Sequence, residues 1–170
     1  MVKFEVVEGD ILKQTDWADA IVNCANTMLI HGGGICGAIF DAAGEKLDKA
    51  CREFKGKKVT DCIITAGYNI PCKIIHAIGP RYSSDRDNNR EQLLKTYQNV
   101  IEIAEENKIE KLAIPLISSG IYGYPLPLAS EVAVDYLKGV ESKIIKEIRL
   151  VLYTKVYYLI CKERLENTDY

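Results

Sequence analysis

The stretch Ala20-Ile21-Val22-Asn23-Cys24-Ala25-Asn26, followed shortly by His31-Gly32-Gly33-Gly34-Ile35-Cys36-Gly37-Ala38-Ile39, decides the fold class. Its first half is a short run of buried-type residues, the pattern of a strand covered on both faces. Its second half sets three successive glycines before a probable helix. A strand that leaves through a glycine turn into a helix is the start of a βα unit.

The same alternation continues outward in both directions. Upstream, residues 4–7 read as a strand that stops at Gly9-Asp10. Downstream, residues 59–65 and 73–78 read as strands joined by Gly67-Tyr68-Asn69-Ile70-Pro71, where Gly and Asn favour a turn and Pro71 limits pairing. Residues 111–116 and 148–153 bring the expectation to about six strands. Between them, residues 89–107 place Leu93, Leu94, Tyr97, Val100, Ile101 and Ala104 on one helical face. Residues 127–138 read as a second long helix, with Pro127 in the first turn and Gly139 after the end. Shorter helical pieces are expected over 37–43 and 46–54, and a last helix over 156–165. The polar segment 82–90 reads as a surface loop. This order predicts an α/β fold with helices on both faces of a sheet.

Composition sets the outer bounds. The chain has 170 residues, enough for one domain with an ordinary core, expected to span 1–170 with its core over about 4–165. Hydrophobic residues make up 48% and charged residues 27%, which excludes a disordered chain. A net charge of −2 gives no footprint for duplex nucleic acid or an anionic membrane. No apolar run approaches the ~18 residues a spanning helix needs. The six cysteines include no Cys-x-x-Cys pair, so no metal site is expected, and with no leader at the N-terminus the thiols are expected reduced and the protein cytoplasmic.

Four elements can carry chemistry. The glycines of 32–34 at a strand-to-helix turn expose backbone N–H groups and a helix N-terminus, an anion site that needs no basic residue; a merely flexible turn is the plainer reading. Pro115-Leu116-Ile117-Ser118-Ser119-Gly120-Ile121-Tyr122-Gly123-Tyr124-Pro125 also follows a strand and precedes a helix. Two such loops at the carboxyl ends of strands can clamp a diphosphate. Asp10 can accept from an adenine amino group or cap the turn that starts at Ile11. Asn23 and Asn26 suit ribose hydroxyls or simply form a turn. His76 lies in an apolar strand, where a hydrogen-bonded core histidine is the expectation, and with two histidines no acid–His–nucleophile triad can be argued.

Taken in order, these elements resemble the macro domain family over nearly the whole chain. The matching text is Val7-Glu8-Gly9-Asp10-Ile11, then 20–26, 32–39, Ala42-Ala43-Gly44, Ile75-His76-Ala77-Ile78-Gly79-Pro80 and 115–125. The resemblance implies a three-layer α/β/α fold around a mixed sheet and a cleft for ADP-ribose, with no cofactor required. It implies that Asp10 and Ile11 meet the adenine, with Tyr153 beside it. Asn26 would contact the distal ribose, with Asn23 shaping its loop. Gly32, Gly33, Gly34, Ile35 and Cys36 would wrap the diphosphate and distal ribose. Ser118, Ser119, Gly120, Ile121 and Tyr122 would hold the phosphates, and Tyr124 would pack on the distal ribose.

The activity the resemblance implies is hydrolysis of ADP-ribosyl esters on acidic side chains of proteins, or of O-acetyl-ADP-ribose, and the chain is expected to be a monomer. Asn26, Gly33 and Tyr124 are then the candidate catalytic residues. Cys36 stands where hydrolytic members with a Gly-Gly-Val-Asp-Gly loop carry an aspartate, and a neutral thiol is no substitute for a carboxylate base. Two alternatives follow from Cys36: a module that binds ADP-ribose without turnover, or a thiolate nucleophile whose pKa a helix N-terminus lowers.

Overall fold

A computed structural model of the chain describes residues 1–54 and 57–167. Six strands form one sheet: β1 (Lys3–Glu8), β2 (Ala20–Cys24), β3 (Cys62–Thr65), β4 (Lys73–Ala77), β5 (Lys111–Ile114) and β6 (Glu147–Leu152). Their spatial order is β1-β6-β5-β2-β4-β3. Every neighbouring pair is parallel except β3 with β4, so the sheet is mixed. The helices are α1 (Gly34–Ala43), α2 (Glu45–Arg52), α3 (Arg86–Glu106), α4 (Leu126–Leu137) and α5 (Lys155–Asn167), with a 3-10 turn over Ile11–Gln14.

The two-residue period of the strands divides the core into two layers. On one face Ala20, Val22, Ile75, Leu112, Ile114, Ile148 and Leu150 pack against α3, α4 and α5 through Leu93, Tyr97, Val100, Ala133, Leu137 and Cys161. On the other, Ile21, Ile63, Ile74, Ala113 and Val151 pack against α1 and α2 through Ile39, Phe40, Ala43 and Leu47. The result is the expected α/β/α sandwich. Most of these side chains are fully buried, and each Val, Leu, Ile or Phe among them is worth about 2 kcal/mol relative to exposure. None of the described helices is long and apolar enough to cross a membrane.

Several boundaries differ from the sequence reading, each for a local reason. β3 starts at Cys62 rather than 59, because Thr60 takes φ 82° and leaves the extended conformation. β5 ends at Ile114, because Pro115 has no N–H to continue the ladder. β6 ends at Leu152, which leaves Tyr153 beyond the strand and exposed. α1 begins at Gly34, three residues before the expected start. α2 stops at Arg52, short of the expected 54. The segment 82–90 is a loop only to Asp85. There the Ser83 N–H and hydroxyl both donate to Asn89 Oδ1, folding the chain back on the first turn of α3.

Candidate functional site

β2 and β5 lie side by side, yet the chain leaves β2 toward β4 and leaves β5 toward β6. That switch opens a crevice at the carboxyl ends of the parallel strands, where ligands bind in such sheets. A cleft of about 370 Å³ occupies it, within the usual range for small-molecule sites. The loop after β2 forms one wall through Asn26, Gly32, Gly33 and Gly34. The loop after β5 forms the other through Ser118, Ser119, Gly120, Ile121 and Tyr122. Leu152, Tyr153 and Tyr157 close the far end.

The first loop is tied by its own asparagine. Asn26 Oδ1 accepts from the N–H groups of Met28 (3.1 Å) and Ile30 (3.2 Å), and its Nδ2 donates to Ile30 O (2.9 Å). One Nδ2 hydrogen remains for a ligand. Gly34 opens α1 with φ +57°, a conformation that favours glycine. Gly33 precedes the helix without a side-chain cap, so the first amides of α1 stay available to an anion.

The second loop is tied from below. Buried Tyr97 of α3 donates its hydroxyl to Pro115 O (3.4 Å) and accepts from the Ile117 N–H (2.9 Å). Ser119 donates its hydroxyl to Leu116 O (2.7 Å), and Tyr157 of α5 donates to Ser119 O (3.4 Å). Ser118 sits at φ +68°, a strained value for a residue with a side chain. The loops nearly meet: a Cβ on Gly33 would lie 2.8 Å from Ile121 Cδ1, and Ile121 is otherwise 75% exposed. A side chain at Gly33 would push the exposed tip of Ile121 aside and part the two walls there.

The expected residues fall into three groups. Asn26, Gly32, Gly33, Gly34, Ile35, Cys36, Ser118, Ser119, Gly120, Ile121, Tyr122 and Tyr153 all line the cleft. Asp10 and Ile11 follow β1 but do not line it; Asp10 accepts from the Leu12 N–H (2.9 Å), the capping role, and Ile11 is buried in the α1 layer. Asn23 and Tyr124 lie behind the walls. Asn23 is fully buried, and the Tyr124 ring stacks edge-on against Tyr82 at 5.0 Å.

Of the lining residues outside the expected site, three bear a polar or thiol group. Arg81 is the one charged side chain among the described lining residues, and its guanidinium stacks 4.6 Å from the Tyr122 ring. Cys24 ends β2 at the cleft floor, and Tyr157 enters from α5. The Tyr157-Tyr158 pair was visible, but nothing in it points to the cleft.

The cleft carries one cationic side chain, Arg81, and no acidic one among the described lining residues. No group of three metal-ligating side chains occurs among the described residues. Burial raises the Cys36 thiol, against smaller opposing effects from the Asn23 amide and the Gly32 backbone. Burial also pushes Cys24 up to about 12. This direction disfavours the thiolate reading of Cys36. Cys36 lies in the first turn of α1, packed against the core at the edge of the cleft, where burial outweighs the hydrogen bonds that would favour a thiolate. All six cysteines are unpaired.

Comparison with known proteins agrees with this geometry. Residues 22–133 match the family model described as Macro domain. The O-acetyl-ADP-ribose deacetylase 1 of Pantoea vagans is 36% identical over 165 residues, covering 93% of this chain and 95% of that protein. A macrodomain of Oceanobacillus iheyensis, solved with ADP, superposes with a TM-score of 0.91 at 35% identity, covering 96% of this chain and 90% of that one. A Trypanosoma brucei macrodomain in complex with ADP-ribose gives 0.83 at 28% identity, covering 94% and 68%. With the mixed six-stranded sandwich and its two-loop cleft, these matches show that the chain belongs to the macro domain family.

Proposed function

We propose that the cleft binds ADP-ribose and that the chain hydrolyses ADP-ribosyl esters of acidic protein side chains or O-acetyl-ADP-ribose. One observation carries this reading. Two loops of backbone donors meet at Gly33 and Ile121 across a crevice that holds Arg81 and no acid, with the fixed Asn26 amide and exposed Tyr153 also lining it. A diphosphate fits between the loops, a ribose against Asn26 and an aromatic base toward Tyr153. Amides supply the anion binding, so the net charge of −2 is no obstacle. The macrodomain neighbours solved with ADP and ADP-ribose, and the deacetylase among the relatives, support the assignment.

None of the described lining residues is a carboxylate, so the proton of the attacking water passes to the ligand's phosphate or to a second water. The bound diphosphate itself orients the attacking water at the ester carbonyl or the anomeric carbon. The free Nδ2 hydrogen of Asn26 and the amides of the Gly33 loop stabilise the negative charge that develops. Incubation with O-acetyl-ADP-ribose and with a protein mono-ADP-ribosylated on glutamate tests the reading. Release above a heat-killed control is expected. ADP-ribose binding in calorimetry without release would leave the second reading, a binding module, which the protonated Cys36 and the acid-free wall favour.

A further inference from the structure

Behind the first loop, four residues distant in sequence make one buried hydrogen-bond chain. The β2–β4 register sets Asn23 opposite His76. In the antiparallel β3–β4 pair, Ile63 faces His76, so Thr65 lies one diagonal step along on the same face. Thr65 Oγ1 is 2.9 Å from Ala66 O and 3.0 Å from His76 Nε2. His76 Nδ1 is 3.0 Å from Asn23 Nδ2. Asn23 Nδ2 reaches Cys36 Sγ at 3.8 Å, and Cys36 Sγ reaches Ile30 O at 3.6 Å.

With Asn23 Nδ2 turned toward His76, an orientation that leaves the buried Asn23 Oδ1 without a partner among the described residues, counting donors assigns the protons of this chain. A hydroxyl has one hydrogen, and Thr65 gives it to Ala66 O. Thr65 Oγ1 therefore accepts from His76 Nε2–H. Nδ1 then carries a lone pair and accepts from the Asn23 amide, whose second hydrogen goes to Cys36 Sγ. The Cys36 S–H points to Ile30 O, the same carbonyl that receives the Asn26 Nδ2 hydrogen. His76 and Asn23 are completely buried, and neither lines the cleft. Placing such a polar pair in an apolar layer is costly, the more so because Asn23 Oδ1 is buried without a partner among the described residues, and packing alone does not require it.

We infer that His76 is a positioning residue: it fixes the Asn23 amide, which acts through Cys36 and the Ile30 carbonyl to set the Asn26 amide in the cleft. The inference rests on the ADP-ribose reading, with Asn26 against the distal ribose. ADP lacks that ribose, so the ratio of ADP-ribose to ADP affinity isolates the Asn26 end.

Calorimetry with both ligands on wild type, His76→Leu and His76→Asn tests it. In His76→Leu the ratio is expected to fall about tenfold, with ADP affinity within about twofold of wild type. His76→Asn keeps an acceptor near the Nδ1 position and is expected to restore most of the ratio. An unchanged ratio in His76→Leu, or a parallel loss of both affinities, overturns the positioning role. Equal affinities for the two ligands in wild type instead overturn the functional reading, and the inference with it. The imidazole tautomer, read by ¹⁵N NMR on the wild-type protein at neutral pH, needs no variant to fold. The Nε2–H form is expected, and the Nδ1–H form overturns the chain.

Discussion

The two loops that face each other across the cleft are anchored from opposite sides of the sheet and by different chemistry. The loop after β5 is held directly. One hydroxyl from α3, that of Tyr97, bonds two of its backbone groups. The loop after β2 is held at one remove, through His76, Asn23 and Cys36. Burial keeps the Tyr97 hydroxyl well above its ordinary value, so that anchor does not change across physiological pH. The His76 imidazole is lowered to about 4 by burial, which keeps it neutral and able to accept, and makes its anchor the acid-sensitive one. A direct anchor constrains a backbone path. An indirect one constrains a side chain, which suits a loop whose working group is the Asn26 amide.

The largest expected effect comes from cutting the direct anchor. Tyr97→Ala leaves a cavity under β5 as well as two unpaired backbone groups, and costs about 3–5 kcal/mol in urea unfolding. A cost near zero would show that the loop holds itself. Acid tests the other anchor. Between the unfolded imidazole value of 6.5 and the folded value of about 4, the unfolded chain takes up a proton that the folded chain refuses. Stability therefore falls as pH drops through that window, by about 3 kcal/mol from this group, and levels off below it. The measurement is the urea midpoint from pH 7 to 4, and His76→Leu should flatten the slope.

Tyr97→Phe is gentler, at about 1–3 kcal/mol, because it removes the hydrogen bonds and keeps the ring. It sharpens the contrast more than Tyr97→Ala does. Affinities for ADP and ADP-ribose should fall together with their ratio unchanged, the reverse of His76→Leu. Smallest is Tyr157→Phe, which deletes one long bond to Ser119 O. It should cost about 0.5 kcal/mol in thermal unfolding, and a larger loss would make α5 a third anchor of the cleft.

The comparison also explains which parts of the site were legible beforehand. Both loops announce themselves locally, because a chain that turns sharply after a buried strand and exposes its amides needs glycine or small residues, as at 32–34 and 118–120. Reading His76 as a hydrogen-bonded core residue agrees with the two partners it has. Its link to Asn26 was hidden, since it runs through Asn23 and Cys36, 53 and 40 positions away. Arg81 and Tyr157, which line the cleft, and Tyr97, which ties the second loop from beneath, were equally silent as site residues, for each is brought there by packing of distant segments. Asp10 fits its local capping role, which a sequence can suggest from one turn alone.

The boundaries show the same division on a smaller scale. Where a residue type sets a limit, as Pro115 does for β5, the end lies within a residue or two of the proline and is readable from the chain. Where a bond between separated groups sets it, as Ser83 with Asn89 does at the entry to α3, it is not.

The sequence alone determined the alternation of strand and helix, the two glycine-bearing loops and, through their order, the family. These depend on the period of apolar residues and on backbone freedom, both properties of neighbouring residues. Only the tertiary structure decided that Gly33 and Ile121 meet, that Cys36 turns inward and keeps its proton, and that one carbonyl joins a buried histidine to the cleft asparagine. Those outcomes depend on strand register and desolvation, which exist only once distant segments have packed.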